Sequence, residues 1–383
     1  MRRPFAVALW GAALLFAAVA ADAAGGARLV LMRPADATGA ADATALVREA
    51  MAAALSARGW ETAPGPAVEE VLQEARLRSL DSLPASVLER FDSRLGSPLT
   101  VLTTIVTWLP GENPIVALSA RALDRAGTTV WSGVAALTGN DTAGLFGFGR
   151  LRDVEQLGRR AVRELLADFP PPGARVKPSP AAARRPRPGL PAPATWRSGE
   201  LFGPEPLRIC LLPLAVPERA PAAGHTVTVL LARRLAASGA FVVVEPVDFQ
   251  AALRSQRVYS PGRLRGDALR EFGRELGTSL FLRGAVWNWR EGNPWGLNVA
   301  AEVELELELV DVESGRILWS AHHERRGAQY LRTFLRGGIG SAAGLADQLI
   351  AEMIDQTRRT PPAPPRTLRF ANAASEERIA SQP

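Results

Sequence analysis

The chain states one design twice, at matched spacings. Val47, Met51 and Leu55 stand four residues apart with Gly59 four further on, and Val227, Leu231 and Leu235 do the same ahead of Gly239. Pro66 follows Gly59 by seven residues, as Pro246 follows Gly239. Leu88, Phe91, Leu95 and Gly96 match Leu269, Phe272, Leu276 and Gly277. Trp108 comes twelve residues after Gly96, and Trp289 twelve after Gly277. Trp131 and Trp319 each come four after a turn glycine, Gly127 and Gly315, and each is followed by serine. A repeat this long implies duplicated domains, because each copy can bury a core of its own. A length of 383 residues suits two such domains, and 47% apolar residues can fill both.

Within each copy the pattern reads as a short strand, helices, and then a meander. Arg28 to Met32 is an apolar strand ended by Pro34, and Leu207 to Leu212 is its counterpart ended by Pro213. Val47, Met51 and Leu55 share one helical face closed by Gly59. Pro66 opens a second helix with Val68, Val71 and Leu72, and Leu88, Phe91 and Leu95 mark a third. Strands are expected near 98–107, 115–123 and 128–134, and a closing helix over Leu151 to Phe169. In the second copy Val303, Leu305, Leu307 and Leu309 alternate with glutamates, which puts the apolar set on one face. The other face carries Glu302, Glu304, Glu306 and Glu308 and should be wet, as antiparallel sheets allow. The expected fold class is therefore α/β (α+β): two tandem similar domains, each a mixed, mostly antiparallel sheet with helices mainly on one face.

Composition sets the borders. Residues 1–24 read as a secretory signal: Arg2 and Arg3, an apolar run from Phe5 to Ala20, then small residues at Ala18-Val19-Ala20 and Ala21-Asp22-Ala23 for cleavage. The first domain is placed at 27–169 and the second at 207–357. Between them, 170–206 holds eleven prolines and reads as a Pro/Arg-rich, semi-rigid linker. Residues 358–383 read as a disordered tail. The formal charge of +6 sits in Arg2, Arg3, the linker and the tail, so the folded part is slightly acidic. That argues against nucleic acid as a partner. No later segment reads as a membrane span in the mature chain, and Cys210, inside an apolar run, is too far from the leader to carry a lipid. The expected compartment is the periplasm.

Candidate chemistry is sparse. The four glutamates could attract a divalent cation, but neighbours two apart on a strand are about 7 Å from each other, and the first copy has Ile115, Ala117, Ser119 and Arg121 in their place. A solvated face is the expectation. Gly338-Ile339-Gly340 with Gly344, and Gly144, Gly147 and Gly149, precede helices, where glycines can hold phosphate. No Gly-Lys-Ser/Thr follows, so a connection is the expectation there. His322 and His323 are adjacent on a strand and point to opposite faces; with His225 they are the only histidines, and they form no zinc set. No Gly-x-Ser-x-Gly elbow is present. The expectation is no enzyme, no cofactor and no metal. Contact residues for a partner are placed at the hairpin tips: Trp287, Asn293 and Trp295 in the second copy, Trp108 and Asn113 in the first, since tryptophan anchors interfaces. For Trp108 and Trp289 the competing role is to plug the sheet's own core.

A strand ending in Pro213, a helix stopping at Gly239, Leu276-Gly277 before a strand, and Asp311-x-x-x-Gly315 ahead of Leu318-Trp319-Ser320 together resemble one family. It is the periplasmic α/β domain of the curli-secretion lipoprotein CsgG, the penicillin-binding-protein activator LpoB and the TolB amino-terminal domain. The resemblance is closer in the second copy. It implies a non-catalytic envelope protein that works through protein contacts. The lipid-bearing cysteine of those lipoproteins has no counterpart here, nor do the long amphipathic hairpins of the curli channel.

The functional expectation is a non-enzymatic, secreted cell-envelope protein of a Gram-negative cell that binds unidentified envelope proteins as a scaffold or assembly factor. A homo-oligomeric accessory of an envelope export system is the second reading. A nucleotide- or metal-binding enzyme is the third.

Overall fold

In the computed structural model two sheets are laid out in the same strand order. The structure describes residues 27–76, 83–142, 149–174, 189–199, 201, 205–244, 249, 252–253, 256, 266–293, 300–331, 338–364 and 366–367. The leader expected over 1–24 lies outside them, as do Trp295, Gly144 and Gly147.

The first unit runs β1 (Arg28–Leu31), β2 (Ala35–Asp36), α1 (Ala41–Ser56), β3 (Glu61–Thr62), α2 (Gly65–Glu74), α3 (Ala85–Leu95), β4 (Leu99–Leu109), β5 (Ile115–Asp124), β6 (Thr129–Thr138) and α4 (Val154–Leu165). Its sheet has the order β3-β1-β4-β5-β6, with β2 beside β4. Strand β1 is parallel to β3 and β4, and β4-β5-β6 is an antiparallel meander. The second unit runs β7 (Ala194–Arg197), β8 (Leu207–Leu211), α5 (Ala222–Ala237), β9 (Phe241–Val243), α6 (Gly266–Leu276), β10 (Leu280–Arg290), β11 (Glu302–Asp311), β12 (Arg316–Arg326), α7 (Ala342–Arg359) and β13 (Arg366–Thr367). Its order, β13-β12-β11-β10-β8-β9, contains the same run of five. Even the irregularities coincide. The register shifts between Ile105 and Thr107 and between Val286 and Asn288, and again at Ala122/Leu123 and Leu309/Val310. A bulge re-aims side chains and raises local twist, so both meanders bend at equivalent points.

Each sheet is covered by a long helix pair on one face and by shorter helices at one end of the other. In the first unit α1 and α4 bury Val47, Met51, Leu55, Leu157, Ala161 and Leu165 against Val101, Ile105, Val116 and Leu118. The stripe on α4 recurs every three or four residues, and Asp153 starts the helix by accepting a hydrogen bond from the Glu155 amide at 2.8 Å. On the reverse face α2 and α3 enclose Val30, Met32, Phe91 and Leu102. In α3 Val87, Leu88 and Phe91 make the buried stripe, and Gly96 closes it in the left-handed region at φ 62°, where a side chain would strain the backbone. In the second unit α5 and α7 pack on Leu282, Val303, Leu305, Leu307 and Leu309. There α6 covers Cys210, Phe281 and Val310 from the other side. Equivalent tryptophans end up buried in both, but differently partnered: Trp319 Nε1 donates to Thr357 Oγ1 at 2.9 Å, while Trp131 stacks edge-on against Phe169 at 4.8 Å.

Two sequence expectations change here. Within the Pro-rich stretch 170–206, Ala194–Arg197 is a strand paired antiparallel with β12, and Leu201 is buried in the second core. Four residues carry no readable period, yet they suffice to pair with an exposed edge. In the region read as tail, α7 continues to Arg359 and β13 joins the same edge of β12.

The units also touch. Val106, Ala117 and Ala136 on the outer face of the first sheet pack with Trp289 and with Ala343 at the start of α7. Val134 on the same face packs against the second core. The layers therefore run second sheet, α5 with α7, first sheet, α1 with α4.

Candidate partner-contact surface

The open face of the second sheet follows from the alternation of β11. Cross-strand register sets Arg283, Asn288 and Arg290 on β10, and Ser320, His322, Glu324 and Arg326 on β12, beside the four glutamates. Each glutamate is engaged. Glu308 pairs with Arg283 at 2.7 Å, and Glu304 with His322 Nε2 at 2.9 Å. Glu302 sits between Arg290 and Arg326. Glu306 accepts from Trp287 Nε1 at 2.7 Å. Among the described residues no three acidic, histidine or cysteine side chains converge on a point that could hold a metal ion. The face is thus a polar lattice of cross-strand hydrogen bonds and ion pairs with one indole in it. Exposed pairs of this kind contribute little stability, about 0–1 kcal/mol each, so this face can trade them for contacts with another molecule at small cost.

The sequence-derived contact residues scatter. Trp287 belongs to this surface: it is the bulged residue of β10, and its indole lies over the ladder. Asn293 lies past the end of β10, outside the strand. Trp295 is outside the described residues. Trp108 packs in its own core, so close to α4 that a Cβ added at Gly158 would fall 2.4 Å from its ring. Asn113 is only 8% exposed, and its Oδ1 accepts from the Asn140 amide at 2.9 Å. Both first-unit residues are therefore structural, because the hairpin they flank folds back on its own domain.

The glycine loop before α7 is not open to a ligand. Ser341 caps the helix, and the carboxylate of Glu291 accepts from the Ala342 amide at 2.7 Å, filling the anion position at the helix start. The same carboxylate accepts from Thr107 of the first unit at 3.3 Å. A Cβ at Gly340 would come within 2.5 Å of Thr138, and one at Gly344 within 3.0 Å of Ala136. These glycines let α7 sit close on the first sheet. Burial pushes the Glu291 carboxyl up to about 7, against the lowering effect of its two hydrogen bonds.

Two further buried groups escaped the sequence reading. Glu352 of α7 receives His323 at 2.9 Å, Arg325 at 3.2 Å, Tyr330, and Gln348 at 3.1 Å. Burial raises its carboxyl, but these donors outweigh it and hold the group below the usual carboxylate range. Burial lowers the His323 imidazole, whose Nε2 donates to the Glu352 carboxylate. Asp347 of α7 clamps Arg233 and Arg234 of α5, at 2.7 and 2.5 Å. Burial again pushes its carboxyl up and the two guanidinium groups overcome it. The signal was present: an Arg-Arg pair and two acids in the middle of otherwise apolar helices imply buried pairs.

With this geometry in place, comparison with known proteins locates the second unit. Residues 225–324 match the family model of LpoB, the peptidoglycan-synthase activator. The match spans α5 through β12 and so includes the glutamate ladder. This stretch is therefore similar to that family. Among solved structures, the PelC dodecamer of Paraburkholderia phytofirmans is 24% identical, covering 43% of this chain and 96% of that one at a TM-score of 0.30. A lipoprotein of Neisseria meningitidis is 20% identical over 38% of this chain and 99% of that one, TM-score 0.27. The carboxy-terminal domain of LpoB from Salmonella enterica is 17% identical over 33% of this chain and 87% of that one, TM-score 0.25. No match is found among curated proteins. No helix among the described residues is long and apolar enough to cross a membrane.

Proposed function

We propose that this chain is a non-enzymatic protein of the periplasm that binds a partner protein of the cell envelope, and that the open sheet face around Trp287 and Glu306 is where the partner docks. The observation that supports this reading is the match of 225–324 to a peptidoglycan-synthase activator, a stretch that includes β11 with its part-exposed glutamates. Export rests on the amino-terminal pattern of 1–24. The first unit is read as a diverged copy of the same module; the shared strand order and coincident bulges support this. Its task is to hold the second unit in place rather than to bind a partner itself.

The test uses the mature chain immobilised and exposed to envelope extract labelled with fluorescent penicillin, which marks peptidoglycan synthases. The expected result is retention of a labelled band that Trp287→Ala and Glu306→Lys both weaken at least tenfold. Retention of no envelope protein after chemical crosslinking would end the reading. A retained set unchanged by both substitutions would move the docking face elsewhere.

A further inference from the structure

The two meanders end differently. In the second unit β7 runs antiparallel along Trp319, Ser320, Ala321 and His322 of β12, and β13 along Arg316 and Ile317. In the first unit the counterpart of β12 is β6, where Trp131, Ser132, Gly133 and Val134 stand in the places of Trp319 to His322. Among the described residues β6 pairs with β5 alone, and no backbone hydrogen bond from another segment reaches 131–137.

This edge also lacks the usual protections. Natural edge strands are kept short, charged, bulged, interrupted by proline or covered. Strand β6 is 10 residues long, Thr-Val-Trp-Ser-Gly-Val-Ala-Ala-Leu-Thr, with neither charge nor proline. Its bulge, at Val130, lies at the turn end, and from Trp131 to Leu137 the register with β5 runs unbroken. The covered strand β12, by contrast, carries Arg316, Glu324, Arg325 and Arg326. Val134 and Ala136 turn to the second unit, yet with Ser132 they stay partly exposed along β6. Val242, 44% exposed, lines the same cavity as Val130 and Ser132, so an apolar side chain adjoins the edge.

The two segments that cover β12 have no equivalent for β6. Strand β7 begins 13 residues ahead of β8, at 194 against 207. The same distance ahead of β1 falls on 15–18, inside the stretch read as a leader. Strand β13 begins nine residues after Thr357, the partner of Trp319. Nine residues after Phe169, the partner of Trp131, stands Pro178, which has no amide to give a ladder. Each mature copy thus carries the same bare edge, and that edge is self-complementary. An antiparallel register centred on Ser132 sets Ser132 opposite Ser132, Val130 opposite Val134 and Trp131 opposite Gly133, with no like charges in contact.

We propose that β6 pairs antiparallel with β6 of a second copy of this chain, joining the two first-unit sheets across a two-fold axis at Ser132. The contact is isologous, so it closes at a dimer. It does not depend on the partner-docking reading.

The test is sedimentation velocity of the purified mature chain over a dilution series, with melting curves to show that each variant is folded. A monomer–dimer equilibrium is expected. Ser132→Lys and Ser132→Glu should each raise the dimer dissociation constant at least tenfold, because two like charges then face each other. An equimolar mixture of the two variants should restore the dimer, because lysine then faces glutamate. Ser132→Cys, the milder change, should give a disulfide-linked dimer on gentle oxidation, whereas the wild type, whose Cys210 is buried, should not. A monomer at every concentration overturns the proposal. So does a dimer that persists in the folded charge variants, fails to return in their mixture, or forms without the Ser132→Cys crosslink. A monomer that holds an envelope protein through this edge, and releases it on Ser132→Lys, assigns the edge to another chain and also ends the proposal.

Discussion

The outer faces of the two sheets occupy the same positions in the same topology and carry opposite chemistry. On β5 and β6 the positions are Ala117, Ser119, Val134 and Ala136; on β11 and β12 their counterparts are Glu304, Glu306, His322 and Glu324. The first set is small and uncharged, and α5 and α7 of the second unit cover it. The second set is charged, cross-paired and open. The fold does not decide which face meets protein and which meets water. A handful of side chains on alternate strand positions does.

Four experiments press on that contrast. The largest effect should come from writing the open face onto the covered one. Ala117→Glu puts an unpaired carboxylate into the seam beside Val106 and Ala343, and a loss of about 3–5 kcal/mol is expected in urea unfolding. A loss below 1 kcal/mol would mean that the seam is open in solution. Glu352→Ala should cost about as much, roughly 3–5 kcal/mol, because His323, Arg325 and Tyr330 lose their common acceptor in the core. It measures what a fully paired buried charge cluster is worth beside an exposed one.

A smaller effect is expected at Glu291, the hinge point between the two faces. Its folded value near 7 lies above the ordinary 4.5. Folding therefore favours the protonated form. The seam is at full strength below about pH 4.5, weakens as pH rises toward 7, and levels off above it. Glu291→Gln keeps an acceptor for the Ala342 amide and removes the charge, so its melting temperature should fall less than the wild type's between pH 5 and 8. Parallel pH profiles for the two proteins would show that the carboxyl is solvated. The smallest effect belongs to the open lattice. Glu308→Ala removes a part-exposed pair with Arg283 and should cost under about 1 kcal/mol, with 1 M salt erasing most of it.

Much of this fold was legible because its signals are local. The spacing of Leu88, Phe91 and Leu95 became α3, with Phe91 in the core and Gly96 as its cap. The alternation of Val303 to Leu309 became β11, buried on one side only. The strands near 98–107, 115–123 and 128–134 run as Leu99–Leu109, Ile115–Asp124 and Thr129–Thr138. Boundaries moved where a neighbour extended the pairing, as β6 did against Ile115 and Val116. The seam was not legible. Ala117 and Ser119, set against the glutamates in the argument about metal, are small because another surface lies on that face. Packing between units has no period along the chain, so no window of sequence displays it. The expected contact residues were read as hairpin tips from their sequence neighbours alone. Trp287 instead sits at the bulge of β10 with its indole on Glu306, and Trp108 and Asn113 are held by contacts with Gly158 and Asn140, distant in sequence, which no local pattern displays.

One detail at the rim of the second sheet has consequences for how the protein is made. The outer edge of β12 is shielded by two short segments, β7 from before the unit and β13 from after it. They are stitched to each other's flanks where Arg197 donates to the Thr360 carbonyl at 2.7 Å and Thr195 meets Thr360 at 2.6 Å. A growing chain synthesises β7 long before the strand it guards and β13 last. Until then the Arg316–Ile317 end of β12 offers bare amides and carbonyls to any passing strand. Loss of β13 should therefore leave that end of β12 able to take a strand from a neighbouring molecule, without any change in the core.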